Sequence, residues 1–229
     1  MVKGLIGMGL PLVSITLMSI AIEPKVAIPF VLVSGIVLNV VQAIQMGSVR
    51  TVARRFTLLA IGAAVGVWAG TELLFAVNQR IIEVVLGLIV CCYVIINKTR
   101  LPPSLPRIWE QRLNLPMGFL FGVLQGATGS LAAPLAAWWQ MLGLKKDEFV
   151  QASGYVLFIV VVPWAASLVA KGVISWRVAA ISAGMLLPAA VGMYLGSRVR
   201  ARVSEDRYRN VILGLLFVAG ASLLVKAIL

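Results

Sequence analysis

Lys3 stands at the head of a glycine-broken apolar run, next to Gly4 and four residues before Gly7. An ammonium in such a place could neutralise the charge of a small anion, or could snorkel to the membrane interface. Other candidate polar groups are few. Asn39 and Gln42 are three apart, hence on one helical face, and Gln45 lies farther round toward the end of the same run. Unpaired amides facing lipid are costly, so this face is expected to look inward, to a partner helix or to a substrate path. Thr16 in the first apolar run, and Gln125, Thr128 and Ser130 among Gly126 and Gly129 in a later one, bring hydroxyl and amide donors beside backbone breakers. Ser153 and Tyr155 open a further run and could complete a cavity, and Trp138 and Trp139 either wall it or anchor an interface. The expected substrate-binding set is therefore Lys3, Gly7, Gly9, Thr16, Asn39, Gln42, Gln125, Gly126, Thr128, Gly129, Ser130, Ser153 and Tyr155. Its chemistry is recognition of a small anion by backbone N–H groups, amides, hydroxyls and one cation.

Most other chemistry is excluded. There is no histidine, which removes histidine metal sites, haem ligation and histidine base catalysis together. Cys91 and Cys92 are adjacent in an apolar run, where a mutual disulfide is disfavoured and thiols stay protonated. All 8 acidic residues fall at or near run ends, and pairing with Arg80 is the expected role of Glu72 and Glu83. An intramembrane enzyme would need Lys3 with Ser14, or Cys91, as nucleophile chemistry, and both arrangements are poor. Neither metal nor cofactor is expected, and the protein reads as a non-enzyme. A non-transporting scaffold subunit is the rival of a different class.

The elements that must position these residues are membrane helices. Of the 229 residues 61% are hydrophobic and 12% charged, and the mean hydropathy is +1.01. Apolar runs at 4–22, 26–46, 57–77, 81–96, 115–142, 149–170, 178–196 and 210–228 define an all-α membrane protein. The net charge of +12 sits in short segments between runs, the pattern of cytoplasmic loops rather than of a nucleic-acid-binding face. Lipid and a small anion are the expected partners, and a homodimer is compatible with the sequence. Residues 1–96 and 115–229 read as two halves joined by a basic, proline-rich connector at 97–114, expected to have little regular structure.

The halves repeat one another. Ala63-Ala64-Val65-Gly66 with Gly70 recurs as Ala189-Ala190-Val191-Gly192 with Gly196, and Leu86-Gly87-Leu88 recurs as Leu213-Gly214-Leu215. These glycines at spacing four read as helix-packing faces. The first run of each half is different, because Gly4, Gly7, Gly9 and Pro11, and then Gly118, Gly122, Gly126, Gly129 and Pro134, are too many breakers for an uninterrupted helix. Each is expected to be two half-helices meeting at depth, around a protein-enclosed cavity. If all eight runs cross, the 20 Lys and Arg divide 11 to 9, and if both broken runs turn back they divide 14 to 6. The second division obeys the positive-inside rule and leaves three spans per half, so the second half is inverted.

The Gly4-x-x-Gly7-x-Gly9 start, Gly122-x-x-x-Gly126-x-x-Gly129 running to Pro134, and the paired Gly-x-x-x-Gly elements resemble the sulfite exporter TauE/SafE family of membrane permeases. The resemblance implies transport of sulfite, sulfonates or related small anions across a bacterial cytoplasmic membrane, in the outward direction. The family's first glycine cluster is here Gly9-Leu10-Pro11, and the residue aligned with Gly7 in the second half is Gln125, which aligns Lys3 with Phe121.

Overall fold

A computed structural model describes residues 1–8, 14, 18, 29–45, 47, 49–76, 84, 87, 88, 91, 94, 95, 105–129 and 131–228. Most of the described residues are helical, with no strand among them. The helices are α1 (Val2–Ile6), α2 (Leu32–Ile44), α3 (Val49–Ala76), α4 (Arg107–Thr128), α5 (Ala132–Met141), α6 (Lys146–Ala170), α7 (Trp176–Gly184), α8 (Leu186–Ala201) and α9 (Glu205–Ile228). Val49–Leu73, Lys146–Ala170 and Trp176–Ala201 are long and apolar enough to cross a bilayer.

The described part of the connector, 105–114, is mostly helical. Pro106 starts α4, so residues 107–114 are helical, and Glu110 in the first turn suits the positive end of the helix dipole. Glu110 is buried because Arg55 of α3 grips it with two bonds, Nε to Oε1 at 2.6 Å and Nη2 to Oε2 at 2.9 Å. The same guanidinium donates to Glu148 at the head of α6 at 2.5 Å. Three helices are thereby tied at their N-terminal ends.

From that tie α3 and α4 run parallel, with little between them but backbone. Gly62, Gly66 and Gly70 face the 115–123 stretch of α4, while Gly118, Gly122 and Gly126 face Leu59, Ala63 and Val67 of α3. Any Cβ added there would run into a main-chain carbonyl of the other helix. Small residues at spacing four permit this approach, which in lipid replaces the hydrophobic effect as the cause of association. The duplicated motif repeats the duty: Gly192 and Gly196 of α8 pack against Met1, Gly4 and Leu5. Each half's glycine face thus receives the first run of the other half.

The remaining packing follows from α6. It runs parallel to α3, with Thr57 against Tyr155 and Thr71 against Ser167, and antiparallel to α2, where Gly154 fits against Ala43 and Asn39 and the Gln151 amide donates to the Ala43 carbonyl. Trp139, fully buried, packs on Phe56 with centroids 4.6 Å apart and donates to Ser153 Oγ at 3.0 Å. Trp138 is buried against Phe121, so the tryptophan pair belongs to the core rather than to an interface. One end of the bundle collects the N-termini of α3, α4, α6 and α9 and the C-termini of α2, α5 and α8. Leu105 N donates to Met141 O there, and Lys146 N donates to Glu205.

Candidate functional site

Two helices end in the same way. The N–H of Gly7, at φ 86, donates to the Lys3 carbonyl, and that of Gly129, at φ 72, donates to the Gln125 carbonyl. This is the single-bond left-handed cap, which glycine enters without the penalty a Cβ would bring. The chain thus leaves the helix at both glycines, and Gly9, Thr16 and Ser130 lie outside the described residues. The cap also corrects the alignment of the halves. Gly7 corresponds in structure to Gly129 rather than to Gln125, and Lys3 corresponds to Gln125 rather than to Phe121. Each half buries a polar side chain one turn before its left-handed glycine, Lys3 at 4% exposure and Gln125 at 2%.

Around Gly7 the structure brings four expected residues together. Lys3 Nζ donates to Asn39 Oδ1 at 2.5 Å. Gln42, one turn along α2, donates through Nε2 to the Gly7 carbonyl at 2.5 Å and to the Val150 carbonyl at 2.6 Å. Those two bonds leave Gln42 Oε1 buried with no partner among the described residues. No carboxylate among the described residues pairs with Lys3 either. An isolated buried ammonium is strongly disfavoured unless something supplies a counter-charge. Lys3 thus has no counter-charge among the described residues, and Gln42 Oε1 beside it is an acceptor without a donor there.

The other expected residues have different neighbours. Gly126 is a packing glycine against α3, where a Cβ would stand 2.5 Å from Thr71 N. Thr128 donates to Leu124 O of its own helix. Ser153 serves Trp139 and accepts its indole N–H, while Tyr155 meets Thr57. The two glycine turns are also at different heights. Gly7 touches Val150 near the start of α6, whereas Gly126, one turn before Gly129, packs on Thr71, which bonds Ser167 near the end of α6. At 1.5 Å per residue those levels are roughly 25 Å apart. The two described glycine turns thus lie at different levels along α6. Glu72 pairs with Lys171 at 2.7 Å, and the Arg80 and Glu83 of the expected pairing lie outside the described residues.

Helices long and apolar enough to cross a bilayer, glycine-capped helix ends and a buried Lys3 with no carboxylate partner among the described residues are compatible with a membrane protein. The family model described as Sulfite exporter TauE/SafE matches residues 1–223, and the chain belongs to that family of membrane transporters. Neither the curated proteins nor the solved structures give a match.

Proposed function

We propose that the protein moves a small anion, sulfite or an organosulfonate, outward across the cytoplasmic membrane of a bacterium, with Lys3 as its counter-charge. The observation that carries this is the buried Lys3 ammonium, held by Asn39 and lacking a carboxylate among the described residues. Gln42 and the Gly7 turn complete the near side of the site, and Gln125, Thr128 and Gly129 line the path farther along. Family membership supplies the sulfur chemistry. The residues alone suit a carboxylate of similar size equally, since both anions ask for charge-assisted N–H donors.

The proposed architecture has two inverted halves, 1–96 and 115–229, each a re-entrant broken run followed by three spans. The reciprocal packing of the glycine faces and the antiparallel contact of α2 with α6 support it. Residues 47–56, 97–114, 143–148 and 197–209 then face the cytoplasm. A monovalent anion leaving a negative interior gains about 2.3 kcal/mol per 100 mV, so efflux needs no coupled ion.

The deciding experiment is flux from proteoliposomes under an imposed potential, after a thermal-shift screen of sulfite, thiosulfate, sulfate, sulfonates and simple carboxylates. A ligand that binds only the folded state raises its melting temperature. Sulfite or a sulfonate should stabilise and move. If only cations or neutral solutes do so, the anion reading fails, and if nothing moves, the scaffold reading takes its place.

A further inference from the structure

A cleft of about 420 Å³ opens where the last turns of α8 face the first turn of α6 and the end of α2, and Gln45, Lys146, Asp147, Ser197, Arg198 and Arg200 line it. That volume is in the range of small-ligand sites. Three cations meet one carboxylate there, and the carboxylate is poorly engaged: Arg200 Nε is 3.6 Å from Asp147 Oδ1. The cations also have neutral partners. Arg200 Nη1 donates to the Gly4 carbonyl at 3.1 Å, Lys146 Nζ to the Val203 carbonyl at 2.8 Å, and Arg198 lies over the Tyr194 ring and donates to its hydroxyl. Glu205 is occupied by the backbone N–H of Lys146 at 2.9 Å. The cleft therefore has a net positive field and fixed N–H donors before any ligand arrives.

Two contacts lead from this cleft to the Lys3 group. Arg200 holds the carbonyl of Gly4, the residue next to Lys3. Gln45, the C-cap of α2 in the cleft, is three residues from Gln42, which is three from Asn39, so polar side chains step round the end of α2 from the basic cleft to the Lys3 group. Resting on the transport reading above, we propose that the cleft is a second anion site, which captures a sulfur oxyanion at the cytoplasmic mouth and delivers it to Lys3. Opposite charges concentrated in a concave surface raise local ion concentration and capture rate, and salt screens the effect.

The test compares the wild-type chain with Lys146→Gln/Arg198→Gln in liposomes of neutral phosphatidylcholine, with sulfite added on the side of the cleft. Arg200 is left intact because it holds α1. The double variant should raise KM for sulfite about tenfold at ~10 mM salt with little change in maximal rate, and the difference should vanish near ~1 M salt. If the double variant does not fold, Arg198→Gln alone, at an exposed position, should give a smaller rise of the same salt dependence. A wild-type KM at low salt in whichever variant folds overturns the proposal. So does an effect seen only when phosphatidylglycerol is added, since that assigns the cleft to a lipid phosphate. If the wild type moves no sulfite at all, the transport reading fails first. The cleft then stands on whether sulfite raises the melting temperature of the wild type but not of the variant, and falls if both respond alike.

Discussion

At the scale of single residues, charge and hydrogen bonding at Lys3 can be separated experimentally because the other half already shows the neutral solution. Gln125 occupies the equivalent cap position. Lys3→Gln therefore keeps a donor for Asn39 and removes only the ammonium. A hydrogen bond to a charged group contributes about 1.5–3 kcal/mol, so anion affinity should fall by roughly 10- to 150-fold, while the melting temperature without ligand holds or rises because an uncompensated buried charge is gone. Unchanged affinity in a calorimetric titration would remove Lys3 from the site. The inward-facing amides were legible from their spacing and from the cost of lipid exposure. Their partners were not, because Lys3 and Asn39 are separated by 36 positions and nothing in local spacing encodes such a contact. The repeat alignment slipped for a related reason: glycine spacing differs between the two broken runs, and only the cap hydrogen bonds reveal which glycines do the same work.

At the scale of elements, the glycines of α3, α4 and α8 hold the fold because they let backbones touch. Gly122→Val would drive its side chain into the Ala63 carbonyl and should prevent a monodisperse, folded product. Gly214→Ala in α9, where nothing lies within 4 Å of an added Cβ, should be tolerated and add up to about 1 kcal/mol of helix preference. Comparable size-exclusion profiles and melting temperatures for the two variants would contradict this account. It also means that Gly126→Val cannot report on substrate alone, since the change would part α4 from α3. The breaks at Gly7 and Gly129 were readable because glycine and proline disfavour helix by local physics. The helical start of α4 inside the connector was hidden, since it rests on the Arg55–Glu110 pair, whose members are 55 residues apart.

At the scale of the whole molecule, orientation is the property that the charge pattern and the packing argue together. Arg50, Arg54 and Arg55, Arg107 and Arg112, Lys145 and Lys146, and the arginines from Arg198 to Arg209 belong to segments that meet at one end of the bundle, joined there by the Arg55 clamp and the contacts of Lys146. Positive segments are retained on the cytoplasmic side during insertion. This much was visible as a count of cations per loop, although the count alone could not say that four loops distant in sequence share one surface. The prediction uses two exposed positions at opposite ends, in a chain whose Cys91 and Cys92 have been replaced by alanine. Ser204→Cys, in the turn before α9, should resist a membrane-impermeant maleimide added to intact cells and react once the membrane is opened. Trp176→Cys, 77% exposed at the head of α7, should react from outside. The reverse labelling would invert the molecule, put the basic cleft on the outer face, and make the same anion path one of uptake.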